Sequence, residues 1–266
     1  MNYSEQLDNP IFNIIGRAAD EMDMPCYVVG GYVRDLLLHR PSKDIDIVVV
    51  GSGIDIARHV AALLGRNTHL NIFKTYGTAQ VKSGATELEF VGARRESYTP
   101  ESRNPHVSTG TLEDDQLRRD FTINAMAISL NHDNFGQLID PFDGVSDLHN
   151  LLIRTPTDPD ITFSDDPLRM MRGIRFASQL GFYLDTRTFD AIDREAPHKA
   201  LRCTSGMDIS QPRLRRSQNG ARPLSPNEVA PQRQDALRTE TRSATHEGHR
   251  SQRRLRHRLG GAASAL

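Results

Sequence analysis

The chain contains no tryptophan and only two cysteines, Cys26 and Cys203. Two isolated cysteines provide neither a disulfide framework nor a clustered zinc site, and they suit a reducing compartment. No apolar run is long enough to cross a bilayer, and the N-terminus lacks the apolar segment of a signal peptide. We therefore expect a soluble, cytoplasmic protein without a membrane partner, and no segment indicates a protein partner.

Several common catalytic motifs are also missing. None of the ten histidines has the spacing of a metal-ligand pair beside a glutamate. We therefore expect the histidines to be surface residues or core residues with satisfied hydrogen bonds. The sequence contains no Walker-type phosphate loop, no serine nucleophile elbow and no internal repeat.

The last third of the chain loses two residue classes. No aromatic residue follows Phe189 and no lysine follows Lys199, whereas arginine, serine, proline and glutamine recur densely. Such a segment cannot bury enough apolar surface to offset its ordering entropy, so we expect residues 202–266 to be a disordered basic tail. Two other interpretations stay open: an arm that binds RNA phosphates, and translation of GC-rich DNA in a shifted reading frame.

At 266 residues the chain can form one or two domains with an adequate core. Hydrophobic periodicity predicts helices over 8–24, 32–38, 54–64, 121–128 and 166–180. Short apolar runs predict strands over 26–29, 45–50, 77–82 and 86–91, and a strand entering a turn over 138–144. The stretch 92–110 is rich in Arg, Ser, Pro and Glu and predicts a long polar loop.

A glycine pair opens the first candidate site, GGYVRD at residues 30–35. Gly30 and Gly31 follow a predicted strand, and glycine lets backbone N–H groups come close to an anion. Arg34 could hold a triphosphate oxygen because guanidinium matches phosphate geometry, while we expect Asp35 to pair with a neighbour. A glycine pair alone is often only a turn, so its interpretation as a phosphate site requires the acidic residues further along the chain.

Two carboxylates follow ten residues after that arginine. Asp44 and Asp46 alternate with apolar residues in a predicted strand, so both point to one face. Like charges at such spacing repel, and a divalent cation is the simplest remedy. The sequence therefore predicts a metal site at Asp44 and Asp46, which suggests metal-assisted transfer of a phosphate-bearing group.

Glu89 is a third acidic candidate. It shares a face of its predicted strand with Glu87, and one of the two could abut Asp44 and Asp46. Three carboxylates can hold two magnesium ions, activate a hydroxyl and steady a leaving pyrophosphate. A solvated strand face is the alternative.

Two further motifs lie between residues 118 and 148. In RRDFTINAMA, Arg119, Asp120 and Asn124 could recognise a ribose and its phosphates, although a paired basic and acidic helix start is the alternative. The second motif, DPFDGVSDL at residues 140–148, predicts a turn capped by side-chain carboxylates. Its expected role is structural, because it would hold one part of the fold to another.

The helix that begins DDPLRMMRGIRF carries a row of charges. Asp166 and Arg169 are neighbours on one face, and Arg172 and Arg175 continue at the same spacing. A salt-bridged surface helix is one interpretation. The other is a template for a base edge, because aspartate only accepts and arginine only donates hydrogen bonds. Such a pair suits cytosine and adenine, and the other arginines could bind the triphosphate or an RNA primer.

Taken together, these motifs resemble those of the class II tRNA nucleotidyltransferase and bacterial poly(A) polymerase family over about residues 20–200. The resemblance implies an α/β (α+β) polymerase-beta-like nucleotidyltransferase head that holds Mg²⁺, followed by a helical neck. It also implies that CTP and ATP are substrates and that the 3′ end of tRNA is the primer. By position, it assigns metal binding to Asp44 and Asp46. Nucleotide binding would fall to Gly31, Arg34, Arg119, Asp166, Arg169, Arg172 and Arg175.

The chain departs from that family at two places. Asp165 stands where the helical motif usually has glutamate, and nothing after about residue 202 resembles the family's helical body and tail. We therefore expect a head over 1–155, the start of a neck over 156–201, and the basic tail over 202–266.

The expected reaction is attack of an RNA 3′-hydroxyl on the α-phosphate of CTP or ATP, which adds CCA to tRNA and releases pyrophosphate. Poly(A) addition is the alternative enzyme. The stretch 92–110 resembles the loop of family members that add A, which disfavours an enzyme that adds only C. A catalytically inactive nucleotide- or RNA-binding remnant stays open as a different class.

Overall fold

The computed structural model describes residues 1–42, 44–99 and 102–199, all within an N-terminal unit, Met1–Ala221. The expected disordered tail over 202–266 lies outside the described residues. Within the described part of the chain, no helix has the length and apolar character needed to cross a membrane.

A mixed sheet of seven strands forms the centre of the fold, in the order β3-β4-β5-β2-β1-β8-β9. Only the pair β2 and β5 is parallel in this sheet, and its other pairs are antiparallel. The strands of this sheet are β1 (Cys26–Val29), β2 (Asp44–Val49), β3 (Thr68–Phe73), β4 (Thr78–Ser83), β5 (Thr86–Gly92), β8 (Ala127–Ser129) and β9 (Leu138–Ile139). Two small sheets pair β6 (Arg94–Thr99) with β7 (Ser102–Thr109) and β10 (Leu152–Ile153) with β11 (Tyr183–Leu184).

Eight helices occur in the described residues. They are α1 (Ile11–Glu21), α2 (Gly31–Leu37), α3 (Gly53–Leu64), α4 (Leu112–Leu117), α5 (Gly144–His149), α6 (Pro159–Asp165), α7 (Leu168–Leu180) and α8 (Thr186–Lys199). Single 3₁₀ turns lie at Lys74–Tyr76, Thr122–Asn124 and His132–Asn134. Helices α6 to α8 lie within the range predicted for the neck, with β11 between α7 and α8. The division into head and neck and the boundaries at 155 and 201 stay predictions.

The two faces of β2 have different neighbours. Ile45, Ile47 and Val49 are buried in the main core with residues of α1 and α3, such as Phe12 and Ile56. These apolar side chains alternate with the two aspartates, as the period of two in a strand requires. The sheet therefore buries one face under helices and leaves the start of β2 polar on the other.

The predicted polar loop at 92–110 is wrong, because this stretch forms the antiparallel hairpin of β6 and β7. Arg94 pairs in register with Thr109, and Glu96 with Val107. The backbone groups of the two strands satisfy each other, so the hairpin forms without the apolar alternation that the sequence prediction used.

The predicted helix over 121–128 is also wrong. The segment forms the 3₁₀ turn Thr122–Asn124 and then enters β8. Phe121, Ile123 and Ile128 are fully buried, while Thr122 and Asn124 between them make side-chain hydrogen bonds. A short apolar run of this kind does not distinguish a buried helix from a buried strand.

Candidate active site

One polar cavity of about 620 Å³ contains every site residue predicted from the sequence except Glu89. Its walls come from the turn between β1 and α2, the start of β2, the segment after α4, and α7. The residues that line it are Gly30, Gly31, Arg34, Asp35, Ser42, Asp44, Asp46, Arg118, Arg119, Asp120, Asn124, Asp166, Arg169, Arg172, Arg175 and Phe176. Sequence reasoning did not select Arg118, Ser42 or Phe176.

Gly30 permits the close approach of a carboxylate and an arginine at the end of β1. Its φ is +72°, a conformation that side-chain-bearing residues rarely adopt. A Cβ at this position would lie 3.0 Å from Nη1 of Arg119 and 3.5 Å from Oδ2 of Asp46. The turn therefore requires glycine, and a Cβ there would also press on the end of the Arg119 side chain, whereas its distance to Asp46 is an ordinary contact.

Asp44 and Asp46 lie on the polar side of β2, as predicted. Asp44 is exposed and Asp46 is partly buried. Burial raises the pKa of Asp46 above its ordinary value, Arg119 acts in the opposite direction, and the charge of Asp44 raises it further. The two carboxylates therefore repel each other inside the cavity, and this repulsion favours binding of a cation.

The two aspartates fit a magnesium ion that completes its coordination with other ligands. Among the described residues, no group of three or more His, Cys, Asp and Glu side chains could hold a metal ion. Magnesium keeps several waters and is commonly bound by one or two carboxylates together with substrate phosphates. Two carboxylates beside a cavity lined with arginines match that pattern.

Glu89 lies next to Asp46 across the parallel pair of β2 and β5. Burial raises the pKa of Glu89, the charge of Asp46 raises it further, and Arg94 lowers it. Glu87, opposite Asp44, instead accepts a hydrogen bond from Gln80 on β4. A catalytic role for Glu89 stays a prediction.

Hydrogen bonds to two neighbouring side chains orient the guanidinium group of Arg34. Its Nε and Nη2 donate to the two carboxylate oxygens of Asp35 at 3.0 and 2.9 Å, and its Nη1 donates to Oδ1 of Asn124 at 2.9 Å. Asp35 therefore pairs with a neighbour, as predicted. These contacts fix the plane of the guanidinium group at the edge of the cavity.

Asp115 is a supporting residue that the sequence prediction missed. It is completely buried in α4, and its Oδ2 accepts hydrogen bonds from Nε and Nη2 of Arg119 at 3.1 and 2.9 Å. Its Oδ1 accepts from Arg118, which also donates to Glu96 of β6 at 3.2 Å. Asp115 precedes the two arginines by three and four residues, and this helical spacing is the sequence signal that could have identified it.

Asp120 joins the segment after α4 to α7. Its Oδ1 accepts from the backbone N–H of Phe121 at 2.9 Å and from the amide of Asn124 at 3.3 Å. Its Oδ2 accepts from Nε of Arg172 at 2.6 Å. The structure thus places Asp120, Asn124 and Arg172 in one hydrogen-bonded group.

The start of α7 presents Asp166 and Arg169 to the same cavity. Oδ1 of Asp166 accepts from the backbone N–H of Leu168 at 3.0 Å, which orients the carboxylate at the helix start. Burial raises the pKa of the preceding Asp165, although Arg169 lowers it. The role of Asp166 and Arg169 as a base template stays a prediction.

The motif at 140–148 has the structural role that the sequence predicted. The carboxylate of Asp140 accepts from the backbone N–H groups of Gly144 and Val145 at 2.7 and 2.9 Å. Asp147 accepts from the hydroxyl of Thr122 and from Nε of Arg154. This turn therefore supports the Thr122 segment behind the cavity wall.

Comparison with known proteins gives consistent matches. The profile of the "Poly A polymerase head domain" matches residues 26–154. The chain is 46% identical over 162 residues to an A-adding tRNA nucleotidyltransferase of Aquifex aeolicus, covering 61% of this chain and 19% of that protein. It is 41% identical over 175 residues to a CCA-adding enzyme of Lactobacillus helveticus, covering 65% and 41%.

Solved structures of similar proteins also match the chain. A tRNA nucleotidyltransferase complexed with a primer tRNA and an incoming ATP analog matches with a TM-score of 0.63 at 39% identity, covering 71% of this chain and 51% of that one. A CCA-adding enzyme in an apo form matches with a TM-score of 0.68 at 37% identity, covering 75% and 47%. The chain spans about half or less of the length of these relatives.

These matches confirm the predicted nucleotidyltransferase head fold. Nucleotidyltransferases of this family generally use a divalent metal ion. The cavity, the head-domain match and the relatives agree on one likeness: residues 26–154 are similar to the head domain of tRNA nucleotidyltransferases and poly(A) polymerases.

Proposed function

We propose that the chain is a template-independent RNA nucleotidyltransferase that adds CMP and AMP from CTP and ATP to the 3′ end of tRNA. The observation that carries the proposal is the shared cavity, in which the carboxylates of β2 face the arginines of α7. The similarity of the chain to an A-adding tRNA nucleotidyltransferase and to a CCA-adding enzyme supports the same activity. The two isolated cysteines suit its expected location in the cytoplasm.

In the reaction, the 3′-hydroxyl oxygen of the RNA forms a bond to the α-phosphorus, and the bond from that phosphorus to the pyrophosphate oxygen breaks. Asp44 and Asp46 would hold Mg²⁺, which supplies a Lewis acid for the phosphate oxygens. Arg34 and Arg119 would bind the triphosphate, because hydrogen bonds to Asp35 and Asp115 already fix the orientation of their guanidinium groups. Catalysis by the chain is therefore mainly positioning and charge stabilisation.

Selection of the base would fall to Asp166 and Arg169. A carboxylate offers only acceptors and a guanidinium only donors, so the pair suits an edge with an amino donor beside a ring-nitrogen acceptor. Cytosine and adenine present that order, whereas uracil and guanine present the opposite one. Both side chains line the cavity, which is the placement that this role requires.

Two narrower activities are supported by particular observations. Addition of A alone is supported by the A-adding relatives from Aquifex aeolicus and Halalkalibacterium halodurans, the second 39% identical over 175 residues. Poly(A) addition is supported by the match of residues 26–154 to a poly(A) polymerase head domain. The substrates that the enzyme extends separate these activities from CCA addition.

The test is extension of two tRNA substrates, one lacking CCA and one ending in CC, with CTP and ATP supplied separately and together with Mg²⁺. CCA addition predicts that CTP extends the first and ATP the second. Extension only of the CC-ended tRNA indicates an A-adding enzyme, and long A tracts indicate a poly(A) polymerase.

Asp44→Ala provides the control for this test. Loss of one metal-binding carboxylate is expected to lower the transfer rate roughly 1,000-fold. Glu87→Gln, on the same face of the sheet but outside the cavity wall, is the matched variant and should retain transfer. Binding of nucleotide by the unchanged chain without any extension would refute the enzyme and favour the inactive remnant.

A further inference from the structure

One aromatic ring stands among the charged side chains of the cavity. Phe176 of α7 lines the cavity, and three guanidinium groups surround its ring. The Cζ atoms of Arg34, Arg172 and Arg175 lie 5.3, 5.4 and 5.1 Å from the ring centroid. All three distances are within the range in which a cation is attracted to the face of an aromatic ring.

Three cations around one side chain repel each other unless something offsets their charge. Arg34 is paired with Asp35 and Arg172 with Asp120. Among the residues that the structure describes, no carboxylate lies within ion-pair distance of Arg175. Arg175 is exposed to solvent, and the electron-rich face of Phe176 is a protein group that its guanidinium contacts.

The ring itself is held by the protein core. Phe121, which is fully buried, meets Phe176 edge to face, with centroids 6.0 Å apart and an interplanar angle of 86°. Gly173 of α7 makes room for this arrangement, because a Cβ there would lie 3.0 Å from Cζ of Phe121. The orientation of Phe176 is consequently fixed by residues that do not line the cavity.

We propose that Phe176 is a positioning residue that holds Arg34, Arg172 and Arg175 ready for the phosphates of an incoming nucleoside triphosphate; this inference rests on the proposed function. Arg34 and Arg172 each already give N–H donors to one carboxylate, Asp35 and Asp120. A further carboxylate in place of Phe176 would occupy more donors, those of Arg175 included, and would repel the phosphates. A ring attracts the face of a guanidinium group and leaves the N–H donors at its edge free for phosphate oxygens.

The first experiment observes the arginines directly. In the full chain labelled with ¹⁵N-arginine, ring-current shielding by Phe176 should move the Nε–H signals of the three arginines upfield. Phe176→Leu should return them toward the values of exposed arginines. Phe182→Leu is the matched control, because Phe182 is equally buried, at 8% exposure, and does not line the cavity. Unshifted signals in the unchanged protein would overturn the proposal.

The second experiment measures binding of CTP and of inorganic triphosphate with Mg²⁺, in the absence of tRNA. Phe176→Leu should weaken binding of both by roughly three- to tenfold, and Phe182→Leu should not. Mono-, di- and trifluorophenylalanine at position 176 should weaken binding progressively, because fluorine withdraws charge from the ring face with little change in volume. A ring that only fills the core would give no such gradation.

The outcomes separate this proposal from the proposed function. If the unchanged chain binds neither CTP nor triphosphate, the proposed function fails and the inference fails with it. If it binds both and the fluorinated series is flat, only the role of Phe176 is refuted. Weaker binding of CTP with unchanged binding of triphosphate would also refute it, since the ring would then act on the base or the sugar.

Discussion

At the scale of single residues, the site places charges where burial opposes them. The pKa of Asp46 is raised chiefly by burial, despite the nearby Arg119. An ionised Asp46 therefore costs folding free energy, which is the expected consequence of placing a proposed metal ligand in a partly buried position. The sequence predicted both aspartates from their alternation with apolar residues, but it could not predict the burial that sets their pKa.

The first prediction concerns the stability of Asp46→Asn. A folded-state pKa above the ordinary value of 3.8 means that the folded protein retains this proton at a pH where the unfolded chain loses it. The free energy of unfolding thus falls as the pH rises from 3.8, the ordinary pKa, through the raised pKa of the folded state. In EDTA, Asp46→Asn should have a higher Tm than the unchanged chain at pH 7, and the gain should disappear toward pH 3. An equal or lower Tm at pH 7 would contradict this account.

The second prediction concerns Gly30→Ala. The positive φ strains any side chain by about 1–2 kcal/mol, and the new Cβ meets Arg119 and Asp46. Both stability in urea and affinity for CTP should therefore fall. Gly65→Ala is the matched control, because Gly65 also has a positive φ, +85°, but a Cβ there meets nothing within 4 Å. Equal CTP affinities in the two variants would show that Gly30 serves the turn alone.

At the scale of elements, the sequence predicted helices and strands with a clear apolar period, but it did not predict elements that polar contacts stabilise. Helix α3 and strand β5 lie close to their predicted ranges because each places apolar residues on one face with a clear period. The hairpin of β6 and β7 was missed because its polar strands satisfy each other across the ladder. Helix α4 was missed because it has only six residues and owes its start to the capping box of Thr111 and Asp114.

The third prediction tests the support that α4 gives to the site. Asp115 is completely buried and holds both Arg118 and Arg119, so Asp115→Asn removes the buried charge that both arginines share. The free energy of unfolding should fall by roughly 3 kcal/mol, and CTP binding should weaken because Arg119 loses its fork. Glu113→Gln, exposed on the same helix, should change neither quantity. A stable Asp115→Asn chain with unchanged CTP affinity would contradict this support role.

At the scale of the whole molecule, the cavity joins segments that lie far apart in the chain. The ion pair of Asp120 with Arg172 and the edge-to-face contact of Phe121 with Phe176 connect the segment between α4 and β8 to α7. Each motif was recognisable in the sequence, but only the fold brings their side chains to one cavity. Phe176 illustrates the limit, because an apolar residue in an amphipathic helix gives no sequence signal that three arginines surround it.

The most direct test of the central claim is a crystal structure of the full chain soaked with CTP and Mn²⁺, which can replace Mg²⁺ and gives an anomalous signal. We expect the metal between the carboxylates of Asp44 and Asp46, with the triphosphate extending from it to the arginines of α7. A triphosphate bound elsewhere, or both carboxylates turned away from the metal and the α-phosphate, would contradict the account.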